Sequence, residues 1–154
     1  MSSPITSTLV VDVHERADEE SIVGLIAMGL DAQNPSGQMN RAARAAGEYK
    51  RGQDDLRLWG LITDETVLGI IGVQPTEGGR VLIRDLAVAP DARMRGIGRA
   101  LIDFARRALK PREMAGHTHS GAVGFYEKCG FEVRVEGCLP AGEPRYRFAW
   151  RTTT

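Results

Sequence analysis

Three β-rich runs stand almost end to end in the middle of the chain: "DLRLWGLITD" (55–64), "TVLGIIGVQP" (66–75) and "GGRVLIRDLAVAP" (78–90). Their connections, "DET" and "TEGG", are too short for the crossover that parallel neighbours require, so the runs read as antiparallel hairpins. The third run ends at Pro90 and, after a basic loop, gives way to "GIGRALIDFARRALK" (96–110). There Ile97, Leu101, Phe104 and Ala108 recur at spacings of three and four, which predicts a helix. Arg99, Asp103, Arg106 and Lys110 fall elsewhere on the wheel.

Shorter elements surround this centre. "TLVVDVHE" (8–15) reads as a first strand. "RADEESIVGLIAMGL" (16–30) reads as a helix with Asp18 as its N-cap and Glu19 and Glu20 in the first turn, where the helix dipole favours negative charge. Residues 31–38, "DAQNPSGQ", are a breaker cluster, and "MNRAARAAGEYK" (39–50) predicts a short helix. Downstream come a strand "REMAGHTH" (112–119) and a short helix "SGAVGFYEKC" (120–129). Ser120 is the expected cap of that helix and Gly130 its left-handed C-terminal residue. "FEVRVEG" (131–137) and "RYRFAWR" (145–151) close the chain. The order β-α-α-β-β-β-α-β-α-β-β predicts one mixed α/β domain over residues 1–154, with 1–7 and 152–154 as loose ends.

Bulk properties exclude more than they identify. Lys+Arg and Asp+Glu both number 20, so net charge is zero and no basic excess points to nucleic acid. The longest apolar stretch, Ile22 to Leu30, is nine residues and falls short of the ~20 a membrane span needs. "MSSPITSTLVVDVHER" has neither a basic leader nor a long apolar segment. Cys129 and Cys138 lack metal-ligand or redox spacing and read as small fillers in a reducing compartment. The expectation is therefore a cytoplasmic protein with no membrane partner.

The start of the 96–110 helix demands an explanation. Residues 93–112 hold seven basic residues and a single acid, Asp103, and two glycines stand at positions 96 and 98. Free amides at a helix N-terminus bind anions, and glycine lets a phosphate approach the backbone. No GxxxxGK[ST] string is present. A GxGxxG fingerprint fails at its third glycine, where Leu101 stands, and seven residues separate Val88 from Gly96. A nucleic-acid surface is the weaker alternative, because the helix needs its apolar face for the core and no aromatics interleave with the charges.

Arg93-Met94-Arg95-Gly96-Ile97-Gly98 resembles the Q/R-x-x-G-x-G/A motif of the GNAT superfamily of N-acetyltransferases. The likeness extends through "RDLAVAPDARMRGIGRALI" (84–102) and "AVGFYEKCGFEV" (122–133). It implies a single-domain α/β fold with a mixed, mostly antiparallel sheet and helices on both faces. It also implies acetyl-CoA as co-substrate, with no metal and a primary amine as acceptor. The family's loop and helix bind the cofactor pyrophosphate, which carries over to Arg93, Arg95, Gly96, Ile97, Gly98 and Arg99. Two central strands of the family splay apart around the pantetheine arm, which assigns backbone groups of Leu86, Ala87 and Val88 to it.

Tyr126 matches the family tyrosine that protonates the departing thiolate. His119 stands where many members carry an asparagine that contacts the cofactor arm, a departure that leaves its role open. His117 and His119 share one strand face, but no third ligand stands nearby, so an ordinary strand face is preferred to a metal pair. Asp85, on the strand facing the cofactor, is the candidate general base, with Glu77 before the "GG" turn as a second. Cys129 and Cys138 have no evident base and are not expected to act as nucleophiles. The family sets its acceptor with stretches corresponding to "LDAQNPSGQMNRA" (30–42) and "VEGCLPAGEPRYR" (135–147), whose mixed charge names no amine. A non-catalytic CoA-binding sensor is the other alternative. The oligomeric state stays open, although family members often form homodimers.

Overall fold

Near-continuous apolar runs in the middle of the chain, buried on both faces, produce the expected meander, and the rest of the sheet grows outward from it. The structure is a computed structural model that describes residues 8–28, 35–140 and 142–152. Its strands are β1 (Thr8–Asp12), β2 (Arg57–Thr63), β3 (Thr66–Thr76), β4 (Arg80–Val88), β5 (Glu113–Thr118), β6 (Glu132–Cys138) and β7 (Pro144–Arg151). Its helices are α1 (Glu20–Met28), α2 (Pro35–Arg51), α3 (Ile97–Leu109) and α4 (Val123–Lys128). All seven strands share one sheet in the order β1-β2-β3-β4-β5-β7-β6, antiparallel except where β4 meets β5. The β2–β3 turn is built by Asp64 and Glu65, both at positive φ, so two acidic residues adopt the backbone usually given to Asn-Gly.

Each face of the sheet buries its own cluster. On one face α3 and α4 cover Ile71, Val73, Val81, Ile83, Met114 and Phe148. On the other, α1 and α2 cover Leu58, Val67 and Ile70 with Ile22, Ile26, Ala42, Ala46 and Tyr49. Helices therefore lie on both faces, as the sequence implies.

Several boundaries differ from expectation for identifiable reasons. Strand β1 stops at Asp12, whose carboxylate accepts a hydrogen bond from the His14 amide at 2.9 Å and starts a tight turn over His14–Arg16. Asp18 does not cap α1. Its carboxylate takes Lys50 Nζ of α2 at 2.8 Å, while the Glu19 carbonyl accepts from the Val23 amide. The second helix begins at Pro35, inside the expected breaker, because proline suits the first helical position where no amide partner is needed. Residues 29–34, the rest of that breaker and the end of the first predicted helix, lie outside the described residues, as do the expected loose ends at 1–7 and 153–154. Thr152 is tied down, its amide donating to the Arg112 carbonyl at 3.0 Å.

The apolar stripe of α3 is also rotated from the expected one. Ile102 and Ala105 are fully buried with Leu101, whereas Ala108 is exposed and Leu109 packs in the last turn instead. Arg106 turns inward. Its guanidinium lies 4.3 Å from the Trp150 ring centre and 5.0 Å from that of Phe131, and Nη2 donates to the Cys129 carbonyl at 3.1 Å. It thus ties α3 to the end of α4. Arg106→Ala should lower stability by about 1–3 kcal/mol through the lost ring and carbonyl contacts. Arg107→Ala, on the exposed side, should change it by less than about 0.5 kcal/mol, and thermal denaturation of the two variants checks the contrast.

Candidate active site

Strands β4 and β5 pair in parallel only over Arg80–Leu82 and Glu113–Ala115. Beyond that point they part, so Ile83–Val88 of β4 and Gly116–Thr118 of β5 face each other without a ladder. The closed end is pinned by charge. Glu113, 6% exposed, takes Arg80 of β4 at 3.0 Å through Oε1 and Arg151 of β7 at 3.2 Å through Oε2, with Arg147 at 3.8 Å. A buried carboxylate shared by three guanidiniums fixes the hinge of the wedge. No sequence motif announces this clamp. Glu77 lies at that closed end, in the turn before Arg80, and Asp85 lies toward the open one.

The open end meets the start of α3. Gly96 stands at its N-cap with φ +75°, and a Cβ built there would meet nothing within 4 Å. The first intrahelical bond runs from the Ala100 amide to the Gly96 carbonyl at 3.0 Å, and among the described residues no side chain caps the amides of Ile97, Gly98 and Arg99 ahead of it. Arg93, Arg95 and Arg99 are exposed around this turn, without a carboxylate partner among the described residues. Arg93 Nε reaches the Val88 carbonyl at 3.5 Å and ties the loop to the end of β4. Open amides with three cations beside them suit the diphosphate of a CoA thioester.

Gly98 has a second task. A Cβ there would come within 2.9 Å of the Phe125 ring, so its bareness lets α4 pack against α3. Gly96 is therefore the cleaner probe of an anion site. Gly96→Leu forces a bulky side chain into a left-handed backbone and should misdirect these amides. If these amides hold a CoA diphosphate, losing one or two charge-assisted hydrogen bonds should weaken CoA binding by roughly 10–100-fold, to be read by calorimetry. A variant with undiminished affinity removes the loop from the cofactor site.

Tyr126 is placed by the end of its own helix. The Phe131 amide donates to the Tyr126 carbonyl and the Gly130 amide to that of Glu127, both at 3.0 Å, with Gly130 at φ +91°. This helix stop, encoded by "YEKCGF", brings Phe131 edge-on to Tyr126 at 5.6 Å between ring centres. Phe148 stacks on the other side at 3.7 Å, with an interplanar angle of 10°. Burial pushes the Tyr126 hydroxyl well above an ordinary phenol, with smaller contributions from Cys129 and from Asp85.

Asp85 and Leu86 face opposite sides of the sheet. Leu86 packs with the α3 cluster, whereas Asp85 meets Tyr49 of α2, whose hydroxyl donates to Asp85 Oδ2. Burial first, and Glu48 to a lesser degree, raise the Asp85 carboxyl to about 6, against the lowering effects of Tyr49 and Arg84. Tyr49 is absent from the sequence reading. Its place at spacings of three and four on the buried Ala42–Ala46 stripe was the available signal, because a buried tyrosine hydroxyl needs a partner.

His119 does not stay free. Its Nδ1 accepts from the Gly121 amide at 3.1 Å and caps the turn before α4, a role expected of Ser120. His117 is engaged through Nε2 with Glu136 Oε1 at 2.8 Å. No cluster of three or more potential metal ligands occurs among the described residues. Cys129 is buried and Cys138 exposed, both as free thiols. Burial raises the Cys129 thiol, which disfavours a thiolate. No helix among the described residues is long and apolar enough to cross a membrane.

Comparison with known proteins agrees with this geometry. A model of the acetyltransferase (GNAT) domain matches residues 54–133, just over half of the chain. An uncharacterised N-acetyltransferase of Bacillus methanolicus is 29% identical over 106 residues, spanning 68% of this chain and 85% of the relative. The chain also resembles the PaiA N-acetyltransferase of Thermoplasma acidophilum, solved in complex with coenzyme A. That match has a TM-score of 0.71 and 18% identity over 92% of this chain and 98% of that one. The IAA acetyltransferase of Bacillus cereus gives a TM-score of 0.67 with 16% identity, over 95% of this chain and 100% of its own. At these identities the solved structures speak for the fold.

Proposed function

The chain belongs to the GNAT acetyltransferase family, and on that footing we propose that it transfers an acetyl group from acetyl-CoA to a primary amine by direct attack in a ternary complex. The observation that carries this reading is the wedge between β4 and β5, open toward the uncapped amides of α3. Acetyl-CoA, when bound, supplies an activated thioester. The amides of Gly96, Ile97, Gly98 and Arg99, with Arg93, Arg95 and Arg99 around them, hold its diphosphate. Backbone groups of Leu86, Ala87 and Val88 orient its arm, and an amide there polarises the acyl carbonyl as a small oxyanion hole.

Asp85 takes a proton from the incoming ammonium. A carboxyl at about 6 is largely ionised at neutral pH yet close enough to it to act as a base. Tyr126 donates its hydroxyl proton toward the sulfur as the thiolate leaves. His119 holds the turn before α4 through Nδ1 and so steadies Tyr126, which leaves Nε2 for the cofactor arm. Two free thiols suit a reducing cytoplasm.

The test is a panel of primary amines with acetyl-CoA, read by release of the CoA thiol. Turnover with at least one amine supports the enzyme. Saturable CoA binding with no turnover on any amine would favour a non-catalytic sensor. Substitution of Arg93, Arg95 or Arg99 should weaken CoA more than a pantetheine analogue lacking the diphosphate, whereas Arg107 and Lys110 should matter little. Equal losses at all five positions would instead indicate a diffuse basic surface for nucleic acid.

A further inference from the structure

We propose that Tyr49 is a positioning residue for the base, holding Asp85 through its hydroxyl from the opposite side of the sheet in a space that Gly72 leaves open. The inference rests on the reading of Asp85 as base and adds to it a residue outside the family-like motifs. Three placements converge. Tyr49 is 1% exposed, the last member of the α2 stripe formed with Ala42 and Ala46. Gly72 of β3 stands directly opposite Asp85 of β4 in the register. A Cβ at Gly72 would fall 1.9 Å from the Tyr49 hydroxyl oxygen and 2.4 Å from Cζ, so any side chain there evicts the ring. Helix, glycine and carboxylate fit as a set.

The consequence is chemical as well as steric. One carboxylate oxygen, Oδ2, is occupied by Tyr49, which leaves Oδ1 for the amine. A hydrogen bond to the charged form favours ionisation, so Tyr49 counters the burial that opposes it. The other charged groups acting on Asp85 are Glu48 beside Tyr49 on α2 and Arg84 on its own strand, and they act in opposite directions on the carboxyl. Tyr49 is thus the neighbour that both orients the carboxylate and keeps it ionised.

Tyr49→Phe keeps the ring and removes the donor. The acidic limb of kcat/KM should move up by about one pH unit, with a smaller change on the alkaline plateau. In an Asp85→Asn background the same substitution should leave kcat unchanged, because no carboxylate remains to be oriented or kept ionised. A folded Tyr49→Phe enzyme whose limb stays at the wild-type pH overturns the proposal. If Asp85→Asn itself retains the limb and wild-type kcat, the reading of Asp85 as base fails, which is a distinguishable result. Should Tyr49→Phe not fold, proton NMR of the unmodified protein decides. A slowly exchanging tyrosine hydroxyl resonance that titrates with the acidic limb supports the pair, and a missing or pH-independent one overturns it.

Discussion

Replacing Tyr126 with phenylalanine should lower kcat by about 10²-fold or more, within the ~10²–10⁴ range of general acid catalysis. The ring remains stacked on Phe148 and edge-on to Phe131, so packing and the helix stop that places it are retained. Only the proton is lost. Its value depends on acidity, and burial makes this hydroxyl a weaker acid than a free phenol near ~10. A thiolate whose conjugate thiol has a reference pKa near ~8.5 would therefore not draw a proton fully from Tyr126 at equilibrium. The hydroxyl instead donates a hydrogen bond that tightens as charge grows on sulfur, which puts the expected loss at the lower end of that range. Acetyl-CoA affinity should change little, because the proposed reading assigns it to the loop and the β4 backbone. Phe125 provides the contrast. Its ring fills the space that Gly98 leaves, so Phe125→Ala should cost about 2 kcal/mol of stability without altering the proton step in the folded fraction. Steady-state kinetics on an accepted amine, where chemistry limits turnover, makes the measurement. Wild-type kcat in Tyr126→Phe would sink the assignment and leave water as the proton source.

What could be read from the sequence was what depends on neighbours in sequence. The meander 55–90 has short turns between compact apolar runs, so its hairpins follow from local pattern alone. The "YEKCGF" helix stop is likewise local, and with it came the place of Tyr126. Residues whose partners lie far along the chain were misread or missed. Arg106 looks like a solvated helix residue until Trp150, some forty positions later, covers it. Asp18 has every local property of an N-cap, but Lys50 on the next helix captures its carboxylate. Tyr49 and Asp85 are 36 residues apart, and their contact depends on Gly72 in a third element. Glu113 gathers arginines from two other strands, and nothing within its own run "REMAGHTH" signals that. The sequence thus offered a candidate cofactor side, which is contiguous from 84 to 102, and a candidate acid. The contact that holds the candidate base was beyond it.

Asp85→Asn should move activity and stability in opposite directions, and that divergence separates a base from a structural acid. Folding raises this carboxyl from its ordinary 3.8 to about 6, chiefly through burial. The folded protein therefore binds a proton more tightly than the unfolded chain. The resulting stabilisation is complete below about pH 4 and is lost as pH rises through 6. Above pH 6 the wild-type protein carries a buried negative charge that costs on the order of 2–3 kcal/mol. Asparagine has nearly the shape of the protonated acid and can still accept from Tyr49, but it cannot ionise. At pH 8 the variant should melt roughly 5–10 °C above wild type, with the gap closing toward pH 4. Over the same range kcat/KM should fall by about 10²–10⁴-fold and lose its acidic limb near 6, since no group remains to take the ammonium proton. An acid kept for its ion pairs behaves otherwise: its removal lowers stability, and activity falls only as the fold does. Glu113, with its three guanidiniums, is that kind of acid, and Glu113→Gln should destabilise the protein at pH 8. Thermal melts of both variants between pH 4 and 8, beside rate profiles of Asp85→Asn, make the comparison. Loss of stability at pH 8 in Asp85→Asn, matching that in Glu113→Gln, would class Asp85 as structural and return the base to solvent.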